Sequence, residues 1–315
     1  MPEGISSGKI GFVGLGRMGR GIAANLLKGG ADLVVYDASP AAVEPLVSSG
    51  ARAAASVAEI AAAADVIFLS LPGPLQVEEV VLGRDGVATH MRAGLVLFDL
   101  STSSRELALK VDAELRSKGG TFFDAPISGG PAGAASGDLV LWIGGNGETL
   151  ERFLPLLRTV CSHARHVGPV GAGTVTKLAH NMLGYTIMEA QAEAFSLAVR
   201  AGLDPLDFWE ALRLGMVGRQ SPLFMLVNQF LPGVYEPPAF ALKLALKDVR
   251  LASSLADELG VPMRLSALTR EDMENAVANG QGDQDSRAYL RLQLKRAGVD
   301  IAVDRERIAA AVRSS

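Results

Sequence analysis

"KIGFVGLGRMGRGIAANLLKGG", Lys9 to Gly30, decides the fold. A β-branched and aromatic run ending at Val13 leads into Gly14-x-Gly16-x-x-Gly19, and a stretch with helical spacing follows. In that order the glycines permit a tight turn and the close approach of a pyrophosphate. The phosphates would sit against the free N–H groups and positive end of the helix. Gly14, Gly16 and Gly19, with Arg17 and Met18 between them, are therefore expected to bind a dinucleotide. "VVYD" ends a second strand at Asp37, whose carboxylate can accept hydrogen bonds from an adenosine ribose. Its charge would repel a 2′-phosphate, and Ala38 and Ser39 supply no arginine to hold one, so NAD is expected rather than NADP. The competing role for Asp37 is to cap the next helix.

The same alternation continues outward. "DVIFLSLP", "LVLFDLS" and "TFFDAP" are strand-like runs, each followed by helical spacing or turn residues, as in a parallel sheet covered by helices. "DLVLWIGG" and "HARHVG" read as further strands. After Gly171 the character changes: from Thr174 to Ala201 only Gly184 interrupts a helical pattern, and strands do not clearly return. The expected fold is α/β, a Rossmann-type doubly wound sheet in residues 1–170, joined by a long helix to an all-helical domain in residues 171–315.

Composition narrows the function. The chain has 315 residues, 49% of them hydrophobic, enough for two domains without disulfide staples. The single cysteine, Cys161, cannot pair within the chain and reads as a small buried hydrophobe. A net charge of −4 and the lack of basic runs interleaved with aromatics argue against nucleic acid as a partner. The N-terminal residues lack a signal-peptide core and no apolar stretch reaches the ~20 residues of a membrane span, so a cytoplasmic protein is expected.

Two stretches carry chemistry. "DAPISGGPAGAASGDL", Asp124 to Leu139, offers a hydroxyl and exposed backbone N–H groups suited to a carboxylate, although an ordinary loop would also be rich in glycine. In "TVTKLAHNMLGY", Thr174 to Tyr185, Lys177 and Asn181 are four residues apart and share a helix face, with His180 one turn from Lys177. The flanks are apolar, so this face is not an ordinary charged surface. A partly desolvated lysine beside an oxidised nicotinamide would have a lowered pKa and could take a proton from an alcohol. Trp142 and Phe224 read as packing, and Arg219 as a solvated loop residue.

With "IGFVGLGRMG", "FDLSTSS", "DAPISGG", "GAGTVTKLAHN", "KLALKDVRLA" and "GDQDSRAYL" in order along nearly its whole length, the chain resembles the β-hydroxyacid dehydrogenase family of the 3-hydroxyisobutyrate dehydrogenase type. The resemblance implies that Lys177 is the general acid/base and Asn181 orients the substrate. It implies that Ser128, Gly129 and Gly130 hold the substrate carboxylate, that Thr102 lies near nicotinamide and substrate, and that Leu71 and Pro72 line the cofactor. From the helical domain it implies roles for Phe240 and Asp248 toward substrate and for Lys247 toward the cofactor. The implied substrate is a small 3-hydroxy acid or its semialdehyde, and the implied assembly is a homodimer or homotetramer; separately, the sequence shows no His/Asp/Cys cluster at ligand spacing, so no metal is expected. His180 before Asn181 is instead similar to 6-phosphogluconate dehydrogenases, but the place of their second acid is Gly184, and "LSTSS" lacks the asparagine of their corresponding loop. Imine reductases share the architecture and usually lack the lysine. A non-catalytic dinucleotide-binding module is the remaining rival, and Lys177, Asn181 and Ser128 together weigh against it.

Overall fold

A computed structural model describes residues 8–313. The first unit is built on strands β1 (Ile10–Val13), β2 (Leu33–Tyr36), β3 (Arg52–Ala53), β4 (Val66–Leu69), β5 (Val96–Asp99), β6 (Thr121–Asp124), β7 (Ile127–Ser128), β8 (Leu139–Gly144) and β9 (Cys161–Gly168). They form one sheet in the order β3-β2-β1-β4-β5-β6-β8-β7, with β9 paired to β8. The pairs from β3 to β6 are parallel, as the alternation of strand and helix signals predicts. The sheet reverses direction at β8, which pairs antiparallel with β6 and β7. The turn through Gly129 and Gly130 lets the chain fold back on itself there, and neither β3 nor β7, two residues each, had a strand signal in the sequence.

The central strands are apolar throughout because both faces are covered. Ile10, Phe12, Val66, Phe68, Val96 and Phe98 enter one core; Val13, Ile67, Leu69 and Leu97 enter the other. In-register pairing aligns Phe12, Phe68, Phe98 and Phe123 across four strands, with ring centroids 6.2, 5.2 and 4.8 Å apart and the rings stacked. Phe153 meets Phe98 edge-on at 5.6 Å. Such offset and edge contacts add to the burial of each ring. Cys161 is buried, its thiol directed at Leu157 O at 3.1 Å, and burial pushes it up to about 11, as suits an inert packing residue.

The long helix runs from Ala172 to Arg200. The compact units divide inside it, between Leu183 and Gly184, whereas the change of sequence character falls at its start, near residue 170. The second unit is helical, and its ordered elements include Pro205–Leu214, Leu242–Leu259 and Arg264–Ala276. Among the described residues its only β pairing is an isolated bridge between Ala241 and Asp285. A small core gathers Tyr235, Leu242, Leu246, Met273, Ala276 and Ala288. Buried carboxylates fasten it: Glu193 accepts from Leu265 N, Ser266 N and Ser266 Oγ at 2.7, 3.1 and 3.0 Å, holding the start of Arg264–Ala276. Asp285 accepts from Ala239 N and from Arg287. No helix of the described residues is long and apolar enough to cross a membrane.

The aromatic ladder places much of the first unit's stability on Phe98, which is fully buried. Phe98→Ala is expected to destabilise that unit by about 3–5 kcal/mol, the usual cost of emptying a buried aromatic site. Urea denaturation followed by near-ultraviolet circular dichroism checks this, and a loss under about 1 kcal/mol would mean that the neighbours collapse into the space.

Candidate active site

Each glycine of the first turn does a different job. Gly14 has φ +94°, and a Cβ there would lie 2.4 Å from Ser70 O. A Cβ on Gly19 would lie 1.9 Å from Gly14 O, so this glycine lets the first helix (Gly19–Lys28) start against the strand end. Gly16 differs: a Cβ there meets nothing within 4 Å. The fold does not need a glycine at that place, whereas a pyrophosphate in van der Waals contact with the loop would. The first helix has no side-chain cap, which leaves its N-terminal amides to a ligand.

These residues open on a cleft of about 700 Å³ lined by Gly14, Gly16, Arg17, Met18, Gly19, Asp37, Leu71 and Pro72, all of them expected from the sequence to meet the cofactor. Asp37 stands just past the end of β2 with its carboxylate fixed by two backbone donors, Leu15 N at 2.7 Å and Ser39 N at 2.8 Å. It braces the glycine turn and the N-cap residue Ser39, but it does not cap the next helix, Pro40–Ser48, whose first turn has no side-chain cap. The residues fit a dinucleotide.

A second cavity of about 330 Å³ shares Met18, Ser70, Leu71 and Pro72 with the cleft and adds Ser101, Thr102, Ser128, Gly129, Gly130 and Lys177. Five residues expected at the reacting centre thus meet in one place. Gly129 and Gly130 have φ of +131° and +62°, a conformation L residues rarely adopt. They carry the chain from β7 into the short helix Gly130–Ser136, which has no side-chain cap. Asp99, at the end of β5 next to the cavity residues Leu100–Thr102, is buried and pushed up to about 6, chiefly by desolvation. It accepts from Ser101 N at 2.9 Å, and Ser101 Oγ in turn accepts from Leu71 N at 2.9 Å. That relay fixes the Leu71–Pro72 turn that both cavities use.

Lys177 comes from the first turns of the long helix, where desolvation lowers its pKa from the ordinary lysine value. Its Nζ lies 5.9 Å from the ring centroid of Trp142. The Trp142 ring also packs on His180, with centroids 4.9 Å apart and planes tilted by 49°. Trp142 is thus a packing residue, as expected, but one packed against the Lys177 and His180 side chains. Leu139, Leu141 and Ile143 of β8 point into the core, while Val140 and Trp142 point the other way, and Val140 is paired with Ser128. Strand alternation thus turns Trp142 to the face that carries Ser128. Asn181 follows Lys177 by one turn, its Oδ1 3.2 Å from His180 Nδ1, and it does not line the smaller cavity. Phe240, Lys247 and Asp248 belong to the second unit, where Lys247 Nζ and Asp248 Oδ1 are 2.9 Å apart and solvent-exposed.

Sequence reasoning passed over Asp124 altogether. Its carboxylate is buried and accepts from Gly171 N and Thr174 N, both at 2.7 Å, at the head of the long helix. A signal for it existed: "PVGAG", Pro169 to Gly173, opens a long helix without any of the usual capping side chains, so the cap had to come from elsewhere.

A dinucleotide cleft joined to a small polar cavity that holds a desolvated lysine defines a nicotinamide-dependent oxidoreductase. Comparison with known proteins is specific. Residues 9–168 match the NAD-binding domain of 6-phosphogluconate dehydrogenase, and residues 171–293 match the family described as the NAD-binding domain of NADP-dependent 3-hydroxyisobutyrate dehydrogenase. The chain is 35% identical over 294 residues to 2-(hydroxymethyl)glutarate dehydrogenase of Eubacterium barkeri, covering 93% of this chain and 97% of that one. It is 38% identical over 269 residues to 3-hydroxyisobutyrate dehydrogenase of Pseudomonas aeruginosa, covering 83% and 89%. A solved structure of 3-hydroxyisobutyrate dehydrogenase from Mycobacterium tuberculosis with L-serine superposes with a TM-score of 0.63 at 29% identity, covering 90% and 99%. The chain belongs to the NAD(P)-dependent β-hydroxyacid dehydrogenase family and is an oxidoreductase acting on hydroxyl groups.

The open space at Gly16 separates folding from binding. Gly16→Ala is expected to unfold like the parent protein while weakening dinucleotide affinity about tenfold or more, ~1.4 kcal/mol. Calorimetric titration with NAD checks it, and an unchanged Kd would remove the pyrophosphate from this turn.

Proposed function

We propose that the protein oxidises a small 3-hydroxy carboxylate with NAD, or reduces the matching semialdehyde, with Lys177 moving the hydroxyl proton. The observation that carries this reading is that Lys177, Thr102 and the Ser128–Gly130 turn line one cavity sharing a wall with the dinucleotide cleft. The Ser128 hydroxyl and the backbone N–H groups of Gly129 and Gly130 hold the carboxylate. Thr102 orients the reacting hydroxyl and neutral Lys177 accepts its proton, while the orienting role of Asn181, which lies off this cavity's wall, rests on the family resemblance. The bound nicotinamide supplies the hydride acceptor. The names of the three relatives share one fragment, a hydroxymethyl group on the carbon next to a carboxylate, and that fragment is the substrate class we assign. Phe240 and Asp248 as substrate residues and Lys247 as a cofactor residue rest on the family resemblance. The braced charge of Asp37 disfavours a 2′-phosphate and supports NAD over NADP.

Self-association as a homodimer or homotetramer belongs to the same reading. Tyr185, Met188, Leu206, Trp209 and Leu214 are more than half exposed, a large apolar area for helices in water. Sedimentation velocity is expected to show a dimer or tetramer at micromolar concentration, and a monomer throughout would sink this part.

For the chemistry, Lys177→Ala is expected to lower kcat ~100-fold or more while leaving NAD affinity intact. In the direction of alcohol oxidation, the parent's kcat/KM should rise with pH as Lys177 loses its proton, along a limb lying below the ordinary lysine value of 10.5. Steady-state assays with 3-hydroxyisobutyrate, serine, 3-hydroxypropionate, glycerate and threonate, run with NAD and with NADP, read all three points. Normal turnover in the variant would refute the lysine's role, and higher kcat/KM with NADP would refute the cofactor assignment.

A further inference from the structure

Lys177 is carried by the first turns of the long helix, with its Nζ 5.9 Å from the Trp142 ring centroid, so whatever fixes the head of that helix also places the lysine. The local chain gives little purchase: Ala172 N bonds Pro169 O at 3.0 Å and Val175 N bonds Gly171 O at 3.0 Å, and no side chain of Pro169–Gly173 caps the first turn. Asp124 supplies the missing acceptors. Its Oδ1 takes Gly171 N and its Oδ2 takes Thr174 N, so one carboxylate clamps both sides of the first turn. The negative charge also lies at the positive end of the helix.

The clamp is tight on every side. A Cβ on Gly173 would lie 2.3 Å from Asp124 O and 2.4 Å from Trp142 O. One on Gly144 would lie 2.3 Å from Asp124 Oδ1 and 2.8 Å from Pro169 O. Glycines at both positions let the helix head rest directly on the ends of β6 and β8. Lys177 follows Thr174 by about one helical turn, so the clamp and the lysine are roughly 5 Å apart along the axis. In the other direction, the strand that ends in Asp124 runs within four residues into Ser128. Burial raises the Asp124 carboxyl above the ordinary carboxylate range, and the hydrogen bonds from Thr174 and Gly171 oppose the rise.

We propose that Asp124 is the positioning residue for Lys177: by clamping the head of the long helix to the end of β6, it sets the distance between the lysine and the Ser128–Gly130 turn. The proposal rests on Lys177 being the proton carrier. Asp124 is not among the residues lining either cavity, and its carboxylate hydrogen bonds go to the helix head. A displacement of about 1 Å at a reacting group can cost on the order of a hundredfold in rate, so the loss of half of this clamp should be visible in turnover.

A double-mutant cycle on the full-length protein tests it, using Asp124→Asn, Lys177→Ala and the pair, with kcat and the Kd for NAD measured for each. Asp124→Asn keeps the shape and one acceptor but presents an amide NH2, a donor, to the other N–H. It should lower kcat about tenfold or more in the parent, change kcat less than about twofold in the Lys177→Ala background, and leave the Kd for NAD unchanged. Groups that act as a unit behave in this non-additive way, whereas a general weakening of the scaffold lowers turnover in both backgrounds alike. An equal loss in both backgrounds, or full turnover in folded Asp124→Asn, overturns the positioning role. Normal turnover of Lys177→Ala alone overturns the proton-carrier reading and the positioning role with it. Should Asp124→Asn not accumulate as folded protein, Gly173→Ala pushes the helix head off an intact carboxylate. The same pattern is expected there, and parent-like turnover would overturn the proposal.

Discussion

One carboxylate ties the sheet of the first unit to the long helix. Asp124 is buried at the end of β6, and its two oxygens receive the first turn of the helix that bears Lys177. An isolated charge in that place would be costly; two short charge-assisted hydrogen bonds and the positive end of a 29-residue helix offset the cost. Because the bond partners are backbone N–H groups, the interaction fixes the main chain rather than a side chain. The helix cannot slide without breaking it.

The same device recurs. Glu193, farther along that helix, receives the first turn of Arg264–Ala276; burial works against its charge, yet the hydrogen bonds from Leu265 and Ser266 bring its pKa below the ordinary value. Asp285 holds Ala239 and Arg287 in the second unit. Asp99, the in-register neighbour of Asp124, fixes Ser101 and through it the Leu71–Pro72 turn. Burial pushes the Asp99 carboxyl up to about 6 and raises that of Asp124 as well, with hydrogen bonds from Ser101 and from Thr174 and Gly171 opposing the rise. Strand ends therefore carry paired acids with different duties: one braces the Leu71–Pro72 turn and the other the helix that bears Lys177.

Much of the site was readable along the chain, and the reasons are local. Gly14-x-Gly16-x-x-Gly19 follows a strand and opens a helix, so each glycine's duty can be inferred within ten residues. The Ser128–Gly130 turn and the Lys177–Asn181 spacing are equally local, and the fold gathers Lys177, Thr102 and the Ser128–Gly130 turn around one cavity. Asn181 is the exception: its neighbour His180 leans on Trp142, and Asn181 itself stays off the cavity wall. The side on which Trp142 packs was not legible, because a tryptophan in an apolar strand looks like core from either side. Only the pairing of Val140 with Ser128 shows which face it takes. The reversal at β8 was likewise hidden, since a strand's own residues do not record the direction of its neighbour.

By itself the sequence determined that this chain has a dinucleotide-binding α/β half and a helical half, and which side chains could do acid–base work. Those properties follow from φ demands at glycine, from side-chain periodicity and from residue chemistry, all of which act over a few bonds. Tertiary structure alone decided which of those groups meet. Asp124 reaches Thr174 across 50 positions of chain, and Trp142 reaches Lys177 from a strand laid antiparallel to β6. Such meetings depend on strand order and register, which are set by how whole elements share buried surface and hydrogen bonds.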